Sequence, residues 1–201
     1  LKRGLRRFED RPLESLRVLD VATGTGRTLK QIRGALAKVE LLGIDLSEAY
    51  LRQASRYLNN QGNNFAQLIK GNAENMPFTN ESMQAITCVF LFHELPRSAR
   101  DNVIKECFRV LKPGGRYLCL EFSKIQNANL DFIYKNYSKL IPIIGQFVVG
   151  EKEPYEYLIT SIEQFINQDE LIELMEKNNF HKCSYRNLSG GIVSIHSGWR
   201  I

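Results

Sequence analysis

The 201-residue sequence has little of what metal, redox or disulfide chemistry draws on: four cysteines, three histidines and one tryptophan. Cys88, Cys107, Cys119 and Cys183 are far apart and in apolar contexts, with no Cys-x-x-Cys pair and no Cys/His cluster. That spacing argues against a disulfide framework or zinc site, and the four read as reduced core residues. No metal is expected. No apolar run approaches the length of a membrane span, and no signal-peptide pattern is visible. A cytoplasmic or organelle-matrix location is therefore expected, with room for contact at a membrane surface. Leu1 stands where a start methionine is expected, so further residues are expected upstream. The formal net charge of +5 and a sequence pI near 9.0 favour anionic partners, but no nucleic-acid motif accompanies them and none is expected as a partner. With 43% hydrophobic residues and no internal repeat, residues 1–201 read as one domain.

What is present centres on Val18-Leu-Asp-Val-Ala-Thr-Gly-Thr-Gly26. Leu16 to Val21 is a short apolar run suited to a strand covered on both faces. Arg27 to Ala37 then places Leu29, Ile32, Arg33 and Leu36 at helical spacing. Gly24 and Gly26 allow a sharp turn and leave no side chain between the peptide groups and a bound molecule. Position 29, where a dinucleotide fingerprint would need a third glycine, is leucine, and Gly-Lys-Ser/Thr is absent. A second strand, Val39 to Ile44, ends in Asp45, about 20 residues past the glycines, where doubly wound folds place a carboxylate for ribose hydroxyls. These residues predict a ligand with a ribose and no need for a pyrophosphate grip.

The remaining chain continues the alternation. Ser47 caps a helix carrying Tyr50, Leu51, Ala54, Tyr57 and Leu58, which Gly62-Asn-Asn ends. Phe65 to Ile69 and Ala85 to Phe90 are the next strands, and Arg97 to Leu111 is a helix stopped by Lys112-Pro-Gly-Gly115 before a fifth strand, Arg116 to Phe122. Five strands with intervening helices imply an α/β, mainly parallel, doubly wound sheet. Between the fifth strand and the next helix, about residues 124–161 form an insertion too apolar for an ordinary loop, including Leu140-Ile-Pro-Ile-Ile-Gly-Gln-Phe-Val-Val149. It reads either as a wall for an apolar ligand or a membrane contact, or as packing over the sheet or in a homodimer interface. Leu1, Leu5 and Phe8 make one face of a basic N-terminal helix, which reads either as packed on the domain or as lying on an anionic membrane. Asn167 and Glu170 form a capping-box pattern. His181 reads as a surface residue and His196 as structural, and Arg109 and Arg116 have no assigned role.

Asp20-Val-Ala-Thr-Gly-Thr-Gly26, Gly43-Ile-Asp-Leu-Ser47, Gly71-Asn-Ala-Glu-Asn-Met-Pro-Phe78 and Arg109-Val-Leu-Lys-Pro-Gly-Gly115 together resemble, in order, the motifs of class I S-adenosylmethionine-dependent methyltransferases. Tyr157-Leu-Ile-Thr-Ser-Ile-Glu-Gln-Phe165 and Asn187-Leu-Ser-Gly-Gly-Ile-Val-Ser-Ile-His-Ser-Gly198 narrow the resemblance to the ubiquinone/menaquinone biosynthesis C-methyltransferase family. The resemblance implies a Rossmann-like sheet of seven strands with an antiparallel last strand, Lys182 to Asn187 and Gly191 to Trp199 supplying the final pair. It implies S-adenosyl-L-methionine as cofactor, with Asp20, Ala22, Gly24, Thr25, Gly26, Asp45, Leu46, Asn72, Ala73 and Glu74 around it. Asn72 stands where the family often has an aspartate for the adenine amino group, and its amide oxygen can still accept that bond.

The implied reaction is C-methylation of a quinone precursor or a similar apolar aromatic small molecule. Two other readings are a methyltransferase for another small molecule or lipid headgroup and a catalytically inactive cofactor-binding protein. His93-Glu94 occupies the place where the family typically has Arg-Asn. A phenolic acceptor needs its hydroxyl proton removed, and His93 is the candidate base, with Glu94 orienting it. The two cooperate only if the backbone turns there, since neighbours on a strand point oppositely.

Overall fold

The computed structural model describes residues 1–59, 65–148, 150 and 152–201; the Gly62-Asn-Asn helix stop falls outside the described residues. Its strands are β1 (Arg17–Val21), β2 (Glu40–Asp45), β3 (Gln67–Lys70), β4 (Met83–Val89), β5 (Leu111–Phe122), β6 (His181–Leu188) and β7 (Val193–Trp199). They form one sheet in the order β3-β2-β1-β4-β5-β7-β6. The first five run parallel, and β7 is antiparallel to both β5 and β6, so the expected Rossmann-like, mainly parallel seven-stranded sheet is present. The order follows from the sequence. Val18, Leu19, Asp20 and Val21 are all buried, which only a central strand with both faces covered allows, whereas β3 is half exposed at the edge.

Helices α1 (Lys2–Leu5), α2 (Arg27–Ala35), α3 (Glu48–Asn59), α4 (Arg97–Val110), α5 (Ala128–Ser138), α6 (Ile141–Val148), α7 (Glu153–Gln164) and α8 (Gln168–Lys177) complete the chain. Helix α2 stops two residues earlier than its spacing predicts. Arg33, which falls on the apolar stripe, is the reason: its guanidinium donates to the carbonyls of Ala37, Val39 and Phe65 and so ties the helix end to the strands beside it. Leu5 and Phe8 are buried against the first core layer, so the N-terminal apolar stripe packs on the domain rather than facing a membrane.

Lys112-Pro-Gly-Gly115 does end helix α4, but strand pairing begins already at Leu111. Met83 pairs with Leu111 and Ala85 with Arg116, so residues 112–115 bulge from β5. Gly114, at φ 81°, turns the bulge, and its N–H donates to the carbonyl of Arg200. The Asn167 side chain accepts from Glu170 N–H while the Glu170 carboxylate accepts from Asn167 N–H, completing the expected capping box of α8.

The apolar insertion is three helices, α5 to α7, and runs to Gln164 rather than Ser161. Phe132, Ile133, Tyr137, Ile144 and Phe147 on it face outward, with Phe147 86% exposed. No helix among the described residues is long and apolar enough to cross a membrane. Cys88, Cys107 and Cys119 are buried free thiols, and Cys183 is a partly buried one.

Candidate functional site

At the C-terminal ends of β1, β2 and β4 lies a cavity of about 670 Å³. This is the edge at which open parallel sheets bind ligands. The turn after β1 forms its floor. Ala22 (φ 54°), Gly24 (φ 53°) and Gly26 (φ 80°) all adopt left-handed backbone, so the chain reverses within five residues before α2 begins. A Cβ placed on Gly24 meets no heavy atom within 4 Å, which leaves the peptide groups of the turn open to the cavity. At Gly26 a Cβ would press on Ala54 and Leu58 of α3, so this glycine serves helix packing.

Two carboxylates shape this floor, in different ways. Asp20 is buried, accepting from the Thr87 hydroxyl at 2.6 Å and the Thr23 hydroxyl at 2.8 Å. Burial pushes its pKa up to about 6, against the pull of the two hydroxyls, and the nearby Asp45 charge adds to the rise. Asp20 does not line the cavity; it braces the turn from below. Asp45, at the end of β2, does line it, accepting from Gly24 N–H on one oxygen and from Ser47 N–H on the other, both at 2.8 Å. Each oxygen keeps a lone pair for a ribose hydroxyl.

Of the other sequence-predicted residues, Ala22, Leu46, Asn72, Ala73, Glu74 and Glu94 share this wall, while Thr25, Gly26 and His93 are not on it. The Asn72 amide oxygen is turned onto Glu74 N–H at 2.9 Å, so part of its accepting capacity holds the loop itself. Glu74 in turn accepts from Asn102 of α4. An adenosyl group fits this arrangement: an open glycine floor, a carboxylate with free lone pairs, and a cavity of sufficient size. Although the chain is net basic, Asp45, Glu74 and Glu94 line the cavity and no lysine or arginine among the described residues does.

The expected His93–Glu94 partnership is corrected by the geometry. Residues Phe92–Glu94 form a 3-10 turn, in which successive side chains diverge by about 120°. His93 therefore points inward and Glu94 toward the cavity. The His93 side chain is 2% exposed, and its Nδ1 lies 3.0 Å from Glu121 Oε2 on β5, whereas Nε2 is 3.9 Å from Glu94. Glu121, not Glu94, orients the imidazole. The other Glu121 oxygen accepts from Phe92 N–H, and Arg100 donates to the Phe92 carbonyl at 2.8 Å. Sequence reasoning passed over Glu121. The available signal was a lone acid inside the apolar strand Tyr117-Leu-Cys-Leu-Glu-Phe122, since a fully buried carboxylate is rare without a partner.

Phe90 was also missed. It holds φ 56°, a strained value for an aromatic residue, and lines the cavity while stacking on Phe122 at 4.7 Å. Phe122 meets the His93 ring edge-on at 5.0 Å. Behind this aromatic partition is a second, mainly apolar cavity of about 230 Å³, walled by Phe122, Tyr134, Ile141, Leu158 and Ile162 among others. Helices α5 to α7 thus enclose space beside the first cavity, and Tyr157 of α7 reaches the first cavity itself.

The remaining candidates are structural. His196 is buried, with Nε2–H donating to the Gln168 carbonyl at 3.1 Å, and burial lowers its pKa to about 4. His181 is exposed. Arg109 is bound to Glu106 and to the carbonyls of Met76 and Phe78, and Arg116 donates to Ser197.

A model of the ubiE/COQ5 methyltransferase family matches residues 5–200. A ubiquinone/menaquinone biosynthesis C-methyltransferase, UbiE, of Bartonella tribocorum is 38% identical over 194 residues, covering 94% of this chain and 73% of that protein. Its namesake from Brucella canis is 37% identical over 187 residues, covering 91% and 68% respectively. Among solved structures, an S-adenosylmethionine-dependent methyltransferase from Aquifex aeolicus aligns with a TM-score of 0.67 at 18% identity, over 98% of this chain and 89% of that one. A Haemonchus contortus phosphoethanolamine N-methyltransferase 2, in complex with S-adenosyl-L-methionine, aligns with a TM-score of 0.67 at 12% identity, over 99% and 52%. At these identities the two structures share the fold.

Proposed function

The chain belongs to the ubiE/COQ5 methyltransferase family and is an S-adenosylmethionine-dependent methyltransferase, and from that premise we propose that it methylates a ring carbon of a quinone precursor. The observation that carries the acceptor reading is the mainly apolar cavity lined by the insertion, whose wall residue Phe122 stacks on Phe90 of the first cavity. A cavity of about 230 Å³ exceeds the roughly 150 Å³ in which an apolar protein cavity binds benzene. An apolar aromatic acceptor therefore has a place beside the donor.

Asp45, the backbone of the Ala22–Gly24 turn and the Asn72–Glu74 loop are the residues that would hold the donor, with Asp20 bracing the turn. When bound, S-adenosylmethionine supplies a methyl group on a positively charged sulfur. Glu94, which stands between His93 Nε2 and the cavity, would take up the acceptor's hydroxyl proton and pass it to Nε2, leaving the ring carbon beside that oxygen electron-rich. A bound acceptor resting on Phe90, Phe122 and Tyr157 would displace water from them, so that a charge that disappears during transfer would be less held back by solvent. Two reactants held in contact also avoid most of the entropic cost of meeting.

The test is transfer of isotope-labelled methyl from S-adenosylmethionine to short-chain demethylated quinols kept reduced, read by mass spectrometry. Label on a ring carbon is the expected result. Donor binding without transfer to any quinol overturns the acceptor assignment and moves the search to other small molecules or lipid headgroups.

The exposed face of α5 and α6, with Phe132, Ile133, Ile144 and Phe147 beside the basic Lys139, is the surface by which the protein would touch the membrane that stores an apolar acceptor. The same face could seat a second copy. Flotation with anionic vesicles supports the membrane contact, and a dimeric mass with no flotation assigns the face to self-association instead.

A further inference from the structure

We propose that Glu121 is the positioning residue of this site: it fixes which nitrogen of His93 carries the proton, and so leaves the lone pair on Nε2, the atom turned toward Glu94 of the cavity wall. The proposal deepens the proton-acceptor role given to His93 above and rests on it. Glu121 is fully buried in the middle of an apolar strand, in contact with three groups. Oε1 accepts from Phe92 N–H; Oε2 lies 3.0 Å from His93 Nδ1 and 3.3 Å from Phe122 N–H. An ionised carboxylate can only accept, so the proton belongs on Nδ1 and the lone pair on Nε2. Nε2 is directed at Glu94, whose 57% exposed side chain is part of the cavity wall.

The imidazole has no freedom to reverse this choice. Phe122 and Phe90 pack on the His93 ring at 5.0 and 6.4 Å, both near perpendicular, which fixes its plane. The backbone of the turn is held from both sides, by Glu121 on Phe92 N–H and by Arg100 on the Phe92 carbonyl. Ring orientation, turn and proton position therefore all depend on the Glu121 carboxylate. A purely structural Glu121 would serve only to accept from the Phe92 and Phe122 N–H groups, of which a glutamine keeps the Phe92 contact, so the readouts that separate the two roles are the pH profile and the position of the proton on His93.

That difference gives the test. In Glu121→Gln the amide oxygen can keep the Phe92 N–H, but its NH2 group then faces Nδ1 and drives the proton to Nε2, removing the base. The turnover number for the quinol acceptor is expected to fall about 100-fold or more, with KM for acceptor and donor within about threefold of wild type and the acid limb of the kcat profile lost. In a His93→Gln background the same change is expected to cost less than threefold in turnover, because the placement of the proton acts through His93. Unchanged turnover and pH profile in Glu121→Gln would overturn the proposal.

A second measurement stands apart from turnover. Nitrogen-15 spectra of the wild-type imidazole at neutral pH are expected to show His93 protonated on Nδ1 alone. Protonation on Nε2 alone would sink the proposal even if the variant failed to fold. Nδ1 protonation in a protein that methylates no quinol would leave the Glu121 assignment standing while the acceptor reading fell.

Discussion

Two buried groups on opposite sides of the sheet centre oppose each other over the same pH range, and separating them is the most exacting check on the polar core. His196 titrates at about 4 in the fold against an ordinary 6.5, because burial disfavours the imidazolium and outweighs the opposite pull of the Gln168 carbonyl and the Asp169 charge. The unfolded chain binds that proton first as pH falls, so stability is full above about pH 6.5 and is lost on the way down to pH 4. The loss is about 2.5 pKa units, or roughly 3 kcal/mol. Asp20 works the other way. Its pKa is raised from 3.8 to about 6, so the folded state takes up the proton first and gains roughly 3 kcal/mol as pH falls from about 6 to 4.

In the wild type the two slopes nearly cancel. Urea unfolding followed by circular dichroism from pH 7 to pH 4 will expose each in a single variant, provided each variant is read as a difference from wild type so that the other carboxylates drop out. The stability of Asp20→Asn relative to wild type should fall by roughly 3 kcal/mol across that range, and that of His196→Gln should rise by about as much. The constant offset of each substitution is immaterial; only the slope counts. Two difference curves of the same sign, or two flat ones, would refute the placement of both groups.

Asp45→Ala removes the acceptor for Gly24 and Ser47 N–H and the lone pairs offered to a ribose. Donor affinity by calorimetry should drop about 10- to 100-fold, and an unchanged affinity would reduce Asp45 to a loop brace. Tyr117→Phe should keep or raise the thermal midpoint, because the Tyr117 hydroxyl is buried with no hydrogen-bond partner and has the weakly bonding thiols of Cys119, Cys88 and Cys107 around it. A fall of several degrees would mean the hydroxyl is satisfied after all. Ile162→Trp, which fills the second cavity, should raise KM for an apolar acceptor by about tenfold or more and leave donor affinity unchanged; equal effects on both substrates would detach that cavity from the acceptor.

The parts of this molecule legible in its sequence are those fixed by local chain chemistry. Val18 to Gly26 could be read as strand and turn because apolar run and glycine spacing act within nine residues, and Asp45 followed from its distance to that turn. The capping box before α8 was legible for the same reason. What escaped depends on partners far along the chain. Arg33 looked like part of an apolar stripe until the Val39 and Phe65 carbonyls, at the entrances to β2 and β3, were in place around it. Glu94 looked like the partner of His93 because it is adjacent, yet the parallel pairing of β4 with β5 brings Glu121 from 28 residues away. The left-handed Phe90 is invisible to propensity, being held by its N–H bond to the Leu120 carbonyl and its stack on Phe122.

The distribution of charge explains why these pieces make one kind of site. A chain of net charge +5 has placed Asp45, Glu74 and Glu94 around the cavity at the C-terminal ends of β1, β2 and β4, with no lysine or arginine of the described residues on that wall. Such a lining repels phosphate groups and attracts a cation, which agrees with the missing third glycine and missing P-loop lysine. It also distinguishes the two states of a sulfonium donor. Before transfer the sulfur is positive and these carboxylates would draw it in; afterwards it is neutral, and they would hold it less strongly. On the proposed reading, the acidic wall would favour binding of the charged donor and release of the neutral product from one set of residues. The buried carboxylates Asp20 and Glu121 take no part in that attraction: one braces the donor turn and the other the His93 turn, so the sheet interior orients what the cavity surface attracts.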